Sequence, residues 1–77
     1  MAEPLEVEAG ERSTEELLAA LDDGRRVQVR VELLGGEHTV TLRLDDGTYY
    51  CDTPTTLYKH DDVEAMRRCI REQGYGE

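Results

Sequence analysis

The chain has 77 residues, 18 acidic against 9 basic, a formal net charge of −9 and no Phe or Trp. A chain this short forms one domain with a small core, burying only about 60% of its unfolded surface, and its acidity disfavours nonspecific binding to nucleic acid phosphates or anionic lipid, which needs a basic patch. No apolar run is long enough for a transmembrane helix or a signal peptide, so the expectation is a cytoplasmic, reducing setting in which Cys51 and Cys69 form no disulfide framework.

Residues 1–12, MAEPLEVEAGER, read as an acidic flexible tail or a short edge strand, with Leu5 and Val7 alternating with glutamates. Residues 13–77 read as the single folded domain. Ser13 followed by Glu16 has the capping-box spacing of a helix start. Leu17, Leu18 and Leu21 then form one apolar stripe, and Gly24 is placed to stop the helix in a left-handed conformation.

The next stretch alternates with period two. Val27, Val29, Val31 and Leu33 are apolar, with Gln28, Arg30 and Glu32 between them. Beyond Gly35-Gly36 the parity switches to His38, Val40, Leu42 and Leu44. A two-residue glycine turn accounts for the switch, because such turns need positive φ. Pairing Leu34 with Glu37 then sets Leu33 opposite His38, Val31 opposite Val40, Val29 opposite Leu42 and Val27 opposite Leu44, with all the apolar residues on one face. In that register Arg30 faces Thr41, and Arg43 lies between Gln28 and Tyr50. Asp46-Gly47 predicts a second hairpin, pairing Asp45 with Thr48, Leu44 with Tyr49, Arg43 with Tyr50 and Leu42 with Cys51.

Residues 52–60, DTPTTLYKH, read as a connection whose Leu57 and Tyr58 tuck under the sheet edge. Asp61 as N-cap and Glu64 open a second helix, with Val63, Met66, Cys69, Ile70 and Gln73 on one side. Glu64 stands four before Arg68, a favourable pair. Gly74 ends the helix, leaving the final YGE as a frayed tail. The fold class is therefore α+β, in the order α-β-β-β-α: a three-stranded antiparallel meander with two helices packed on one face.

That arrangement leaves the other sheet face open, carrying Gln28, Arg30, Thr41, Arg43 and Tyr50 as the candidate interaction face. A tyrosine beside two arginines can stack a base, grip a carboxylate or dock a protein. The histidines and cysteines lack the short spacings of a zinc site, and the Asp pairs sit in turns and caps. No catalytic, cofactor or metal residues are assigned, and the chain is not expected to be an enzyme. The expected function is a non-enzymatic protein-protein interaction or self-associating module, with a homodimer or small protein partner. The alternative is a nucleic-acid-binding or regulatory role for the open face.

The α-β-β-β-α order over residues 13–73 is similar to the double-stranded RNA-binding domain. That family carries a lysine cluster at the start of its second helix; His60, Asp61, Asp62 and Glu64 stand there in this chain. The whole chain also resembles the small uncharacterised acidic proteins of haloarchaea. Lys59 is its only lysine, and eight of its nine basic residues are Arg. That resemblance implies a cytoplasmic protein adapted to high salt.

Overall fold

The computed structural model describes residues 3–33 and 35–77. Its elements are β1 (Leu5–Glu8), α1 (Thr14–Asp22), β2 (Val27–Leu33), β3 (Gly36–Asp45), β4 (Thr48–Asp52), β5 (Leu57–His60) and α2 (Val63–Gln73). They build an α+β fold around a five-stranded sheet in the order β1-β2-β3-β4-β5. The expected meander β2-β3-β4 is the centre of this sheet, and a strand is added at each side. β1 runs parallel to β2 across the α1 crossover, and β5 runs antiparallel to β4. These additions set the fold apart from the α-β-β-β-α order.

The first hairpin closes one residue earlier than the glycines suggest. It closes on the Leu33–Gly36 pair, with Gly35 at φ +80°, and Gly36 begins β3. Leu34, expected opposite Glu37, lies outside the described residues. Val27 consequently faces Leu42, Val29 faces Val40 and Val31 faces His38. The register has moved by two positions, an even number, and every side chain keeps its expected face. The second hairpin has the expected pairs Arg43–Tyr50 and Leu42–Cys51. Asp46 and Gly47 both take positive φ, as the turn type requires.

Both helices cover the Val/Leu face. Ser13 caps α1 with a complete capping box to Glu16. Leu17 and Leu21 from α1 and Met66 and Ile70 from α2 are fully buried against Val27, Val29, Leu42 and Cys51. The N-cap of α2 is Asp62 rather than Asp61: its carboxylate accepts from Ala65 N at 2.8 Å. Glu64 pairs with Arg67 rather than Arg68. Arg67 also reaches Glu15 of α1 at 2.7 Å, because α2 lies beside α1 and the nearer acceptors are there.

The C-terminal residues are not frayed. Gly74 adopts the left-handed conformation and turns the chain so that Tyr75 is buried in the core, 5% exposed. Gly10 N donates to Tyr75 O at 3.0 Å, and Glu77 N donates to Arg12 O at 3.0 Å. Thr14 donates to Glu77 O from both its backbone N and its hydroxyl. The sequence carries no Phe or Trp, and Tyr75 is the large aromatic that completes the core.

Candidate interaction surface

The open sheet face carries carboxylates on both sides, with Asp45 and Asp52 on the side toward β5, but its cations are arranged differently in the two halves. Alternation along β1 and β2 puts Glu6, Glu8, Gln28, Arg30 and Glu32 on it, in the pairs Glu6–Gln28 and Glu8–Arg30. Arg30 leans to Glu8, with 3.8 Å between guanidinium and carboxylate. It faces Thr39 rather than Thr41, and Thr41 faces Gln28. Arg43 has no β2 residue opposite it, since its β2-side neighbour would fall before Val27. The two arginines therefore belong to opposite halves of the face, a correction to the expected single cluster.

The half toward β5 is different. Arg43 faces Tyr50, and Tyr50 faces Lys59, so cation, aromatic and cation form one row ending at the sheet's edge. The Arg43 guanidinium carbon stands 4.3 Å from the Tyr50 ring centroid, a contact worth about 0.5–1 kcal/mol at an exposed site. Periodicity alone misses Lys59 and Leu57 as members of this face, because residues 52–60 read as a connection. The available signal was the turn before it. Thr53 Oγ1 accepts from Thr56 N at 2.9 Å and donates to Thr56 O at 2.7 Å, a local side-chain turn of the kind threonine favours.

β5 is an edge strand with its outer side free among the described residues. Thr53 N donates to Thr56 O at 2.9 Å, which fixes the antiparallel alternation. Cys51–Tyr58 and Tyr49–His60 are then the hydrogen-bonded pairs, and the N–H and C=O groups of Leu57 and Lys59 point outward. Leu57 and Tyr58, expected under the sheet edge, are 45% and 41% exposed. Val63, at the start of the adjoining helix, is exposed as well.

Two hollows meet at Tyr58 on the helix side of this edge. One, of about 410 Å³, is lined by Val31, Val40, Pro54, Tyr58 and Tyr75, with His38 and Gln73 among its polar members. The other, of about 280 Å³, lies between β5 and α2 and is lined by Tyr58, His60, Ala65, Arg68 and Glu72. The buried Nε2 of His60 has no hydrogen-bond partner among the described residues.

Cys51 and Cys69 are both buried and free. Burial, with Cys69 close by, pushes the Cys51 thiol up to about 12, and burial raises Cys69 too. Thiolate is the reactive and metal-binding form, so at neutral pH these thiols behave as small core hydrophobes. Among the described residues, no three His, Cys, Asp or Glu side chains converge as a metal site would require. No helix among them is long and apolar enough to cross a membrane.

Compared with known proteins, residues 1–77 match the model of a family of unknown function (DUF8001). The chain belongs to that family. No curated protein and no solved structure matches it. The surface chemistry of this family member therefore carries the functional argument.

Proposed function

We propose that this DUF8001 protein is a non-enzymatic protein-interaction module that accepts an additional β-strand along β5. The observation that carries this reading is the unpaired outer side of β5, flanked by the exposed Leu57, Tyr58 and Val63. Strand addition takes affinity from main-chain hydrogen bonds and specificity from hollows that receive alternate side chains. β5 offers both. Self-association is the special case in which a second copy supplies the strand.

The test is a selection of displayed extended peptides against the full chain, scored on wild type and on Leu57→Pro. Proline at that position deletes an outward N–H while leaving the pairing to β4 intact. Binders recovered on wild type should lose affinity on the variant. Binders that ignore Leu57→Pro would contradict strand addition at β5.

A second reading rests on the Arg43–Tyr50–Lys59 row, which has the cation and stacking parts of a single-strand nucleic acid platform. It predicts oligonucleotide binding that falls with added salt and with Arg43→Ala. The acidic composition further supports a working environment of high salt, as in the cytoplasm of a halophile. Molar salt shortens the Debye length to about 3 Å and screens repulsion among the surface carboxylates. Thermal stability should then rise with KCl, and a melting temperature independent of salt would contradict that part of the reading.

A further inference from the structure

Given strand addition at β5, we infer that its natural partner is an acidic extended segment of another protein, with apolar side chains alternating with Asp or Glu. The inference rests on the preceding reading and specifies what the edge selects.

Three observations combine. The chain carries a net charge of −9, yet residues 53–60, TPTTLYKH, contain no carboxylate and end in Lys59 and His60. Lys59 is the outermost member of the Arg43–Tyr50–Lys59 row. A residue added opposite Lys59 on the open face extends that row, and a carboxylate there completes an alternation of cation, aromatic, cation and anion. The residues on either side of it point to the opposite face. They fall beside Tyr58 and His60, next to the hollow between β5 and α2. Tyr58 and Ala65 in its walls offer an apolar side chain a surface to cover. The recognition unit is thus apolar, acidic, apolar along the added strand.

Charge also argues against a second copy as the natural occupant. Antiparallel self-pairing through a two-fold axis at Tyr58 sets Lys59 opposite Leu57 of the partner copy. It leaves both lysines without an anion and draws together two bodies of −9 each. A separate acidic segment gives Lys59 the carboxylate that self-pairing withholds, and a short segment brings less negative charge to the body than a second copy of −9.

The experiment is a fluorescence anisotropy titration of the full chain with two labelled peptides, one alternating valine and glutamate and the other valine and lysine. Wild type, Lys59→Glu and Leu57→Pro are compared, each checked for the wild-type circular dichroism spectrum. The valine–glutamate peptide should bind wild type about tenfold more tightly than the valine–lysine peptide, because attraction replaces repulsion at the rim. Lys59→Glu should reverse the preference, and Leu57→Pro should abolish binding of both. Equal binding of the two peptides, still lost in Leu57→Pro, would overturn the acidic partner and leave strand addition standing. Binding that survives Leu57→Pro would overturn both. Absence of peptide binding together with a dimer in light scattering that Leu57→Pro dissociates would assign the edge to a second copy and overturn the inference.

Discussion

The two edges of the sheet are built differently, and the difference indicates where this molecule accepts a partner. At β1, the outer side of the ladder is blunted, though the outward backbone groups of Glu6 have no partner among the described residues. Pro4 brings no N–H, Glu6 and Glu8 place like charges on the open face, and the outward N–H of Glu8 donates to the Glu11 carboxylate at 3.0 Å. Val7 is buried at 4% exposure, so the strand is held by the core. These are the devices that keep edge strands from pairing with other chains. β5 has none of the acidic ones. Its outward groups at Leu57 and Lys59 have no partner among the described residues, and its apolar side chains are partly exposed. One edge contributes to the core; the other is held chiefly by its ladder to β4.

The largest effect should come from the face assignment on which that contrast depends. Val29 is fully buried, and Val29→Asp should unfold the domain, because an unpaired buried charge costs several kcal/mol against a total stability of about 5–15 kcal/mol. Thr41→Asp, on the opposite face, should cost under about 1 kcal/mol. Comparable losses in chemical denaturation would break the account of parity.

Next comes the edge comparison itself. Val7→Ala should cost about 2 kcal/mol through lost burial and the cavity it leaves. Leu57→Ala and Tyr58→Ala should each cost less than Val7→Ala, since both side chains are only partly covered, at 45% and 41% exposure. Denaturation midpoints showing the reverse order would exchange the roles of the two strands.

Gly76→Ala sharpens the contrast from the opposite end of the chain. An added Cβ would lie 2.9 Å from Thr14 Cα, N and Oγ1, in a segment held by backbone bonds on both sides. The expected loss is about 1–3 kcal/mol of overpacking, with Tyr75 loosened from the core, read as increased quenching of tyrosine fluorescence.

The smallest effect is one of pH. Arg67 hydrogen-bonds Glu15 and lowers its pKa, and the Ser13 backbone N–H, with Arg12, lowers that of Glu16. The folded state thus binds these two protons less readily than the unfolded chain. Their stabilisation is fully present above the ordinary glutamate value of 4.5 and is lost as pH falls below it through the lowered folded values. Both carboxylates face solvent, so the effect is modest. Glu15→Gln should remove part of the acid sensitivity in a pH series of thermal melts.

The centre of the sheet was legible because Val27, Val29, Val40 and Leu42 alternate with polar residues over long enough runs to define a face. The pairing there reads one turn position late from the sequence, since Gly35 and Gly36 both fit a tight bend and only the fold shows where β3 begins. The edge strands were harder to read for different physical reasons. β1 offers just two apolar residues, Leu5 and Val7, and its order comes from pairing with β2. β5 is short, polar on both sides of Leu57 and Tyr58, and becomes a strand through β4. Of the expected interaction face, the Arg43–Tyr50 contact follows directly from the second hairpin. The ion pair of Arg30 with Glu8 depends on β1 lying beside β2. Lys59 joins the row through β5, so it too was outside the reach of periodicity.

Amide hydrogen exchange of the full chain, with and without the valine–glutamate peptide, tests the central claim most directly. The free protein should exchange quickly at the outward amides of Leu57 and Lys59, and saturation with peptide should protect those two amides while Glu6 and Glu8 stay unchanged. Protection that appears along Leu5–Glu8 instead, or that leaves Leu57 and Lys59 as fast as before, would contradict the account.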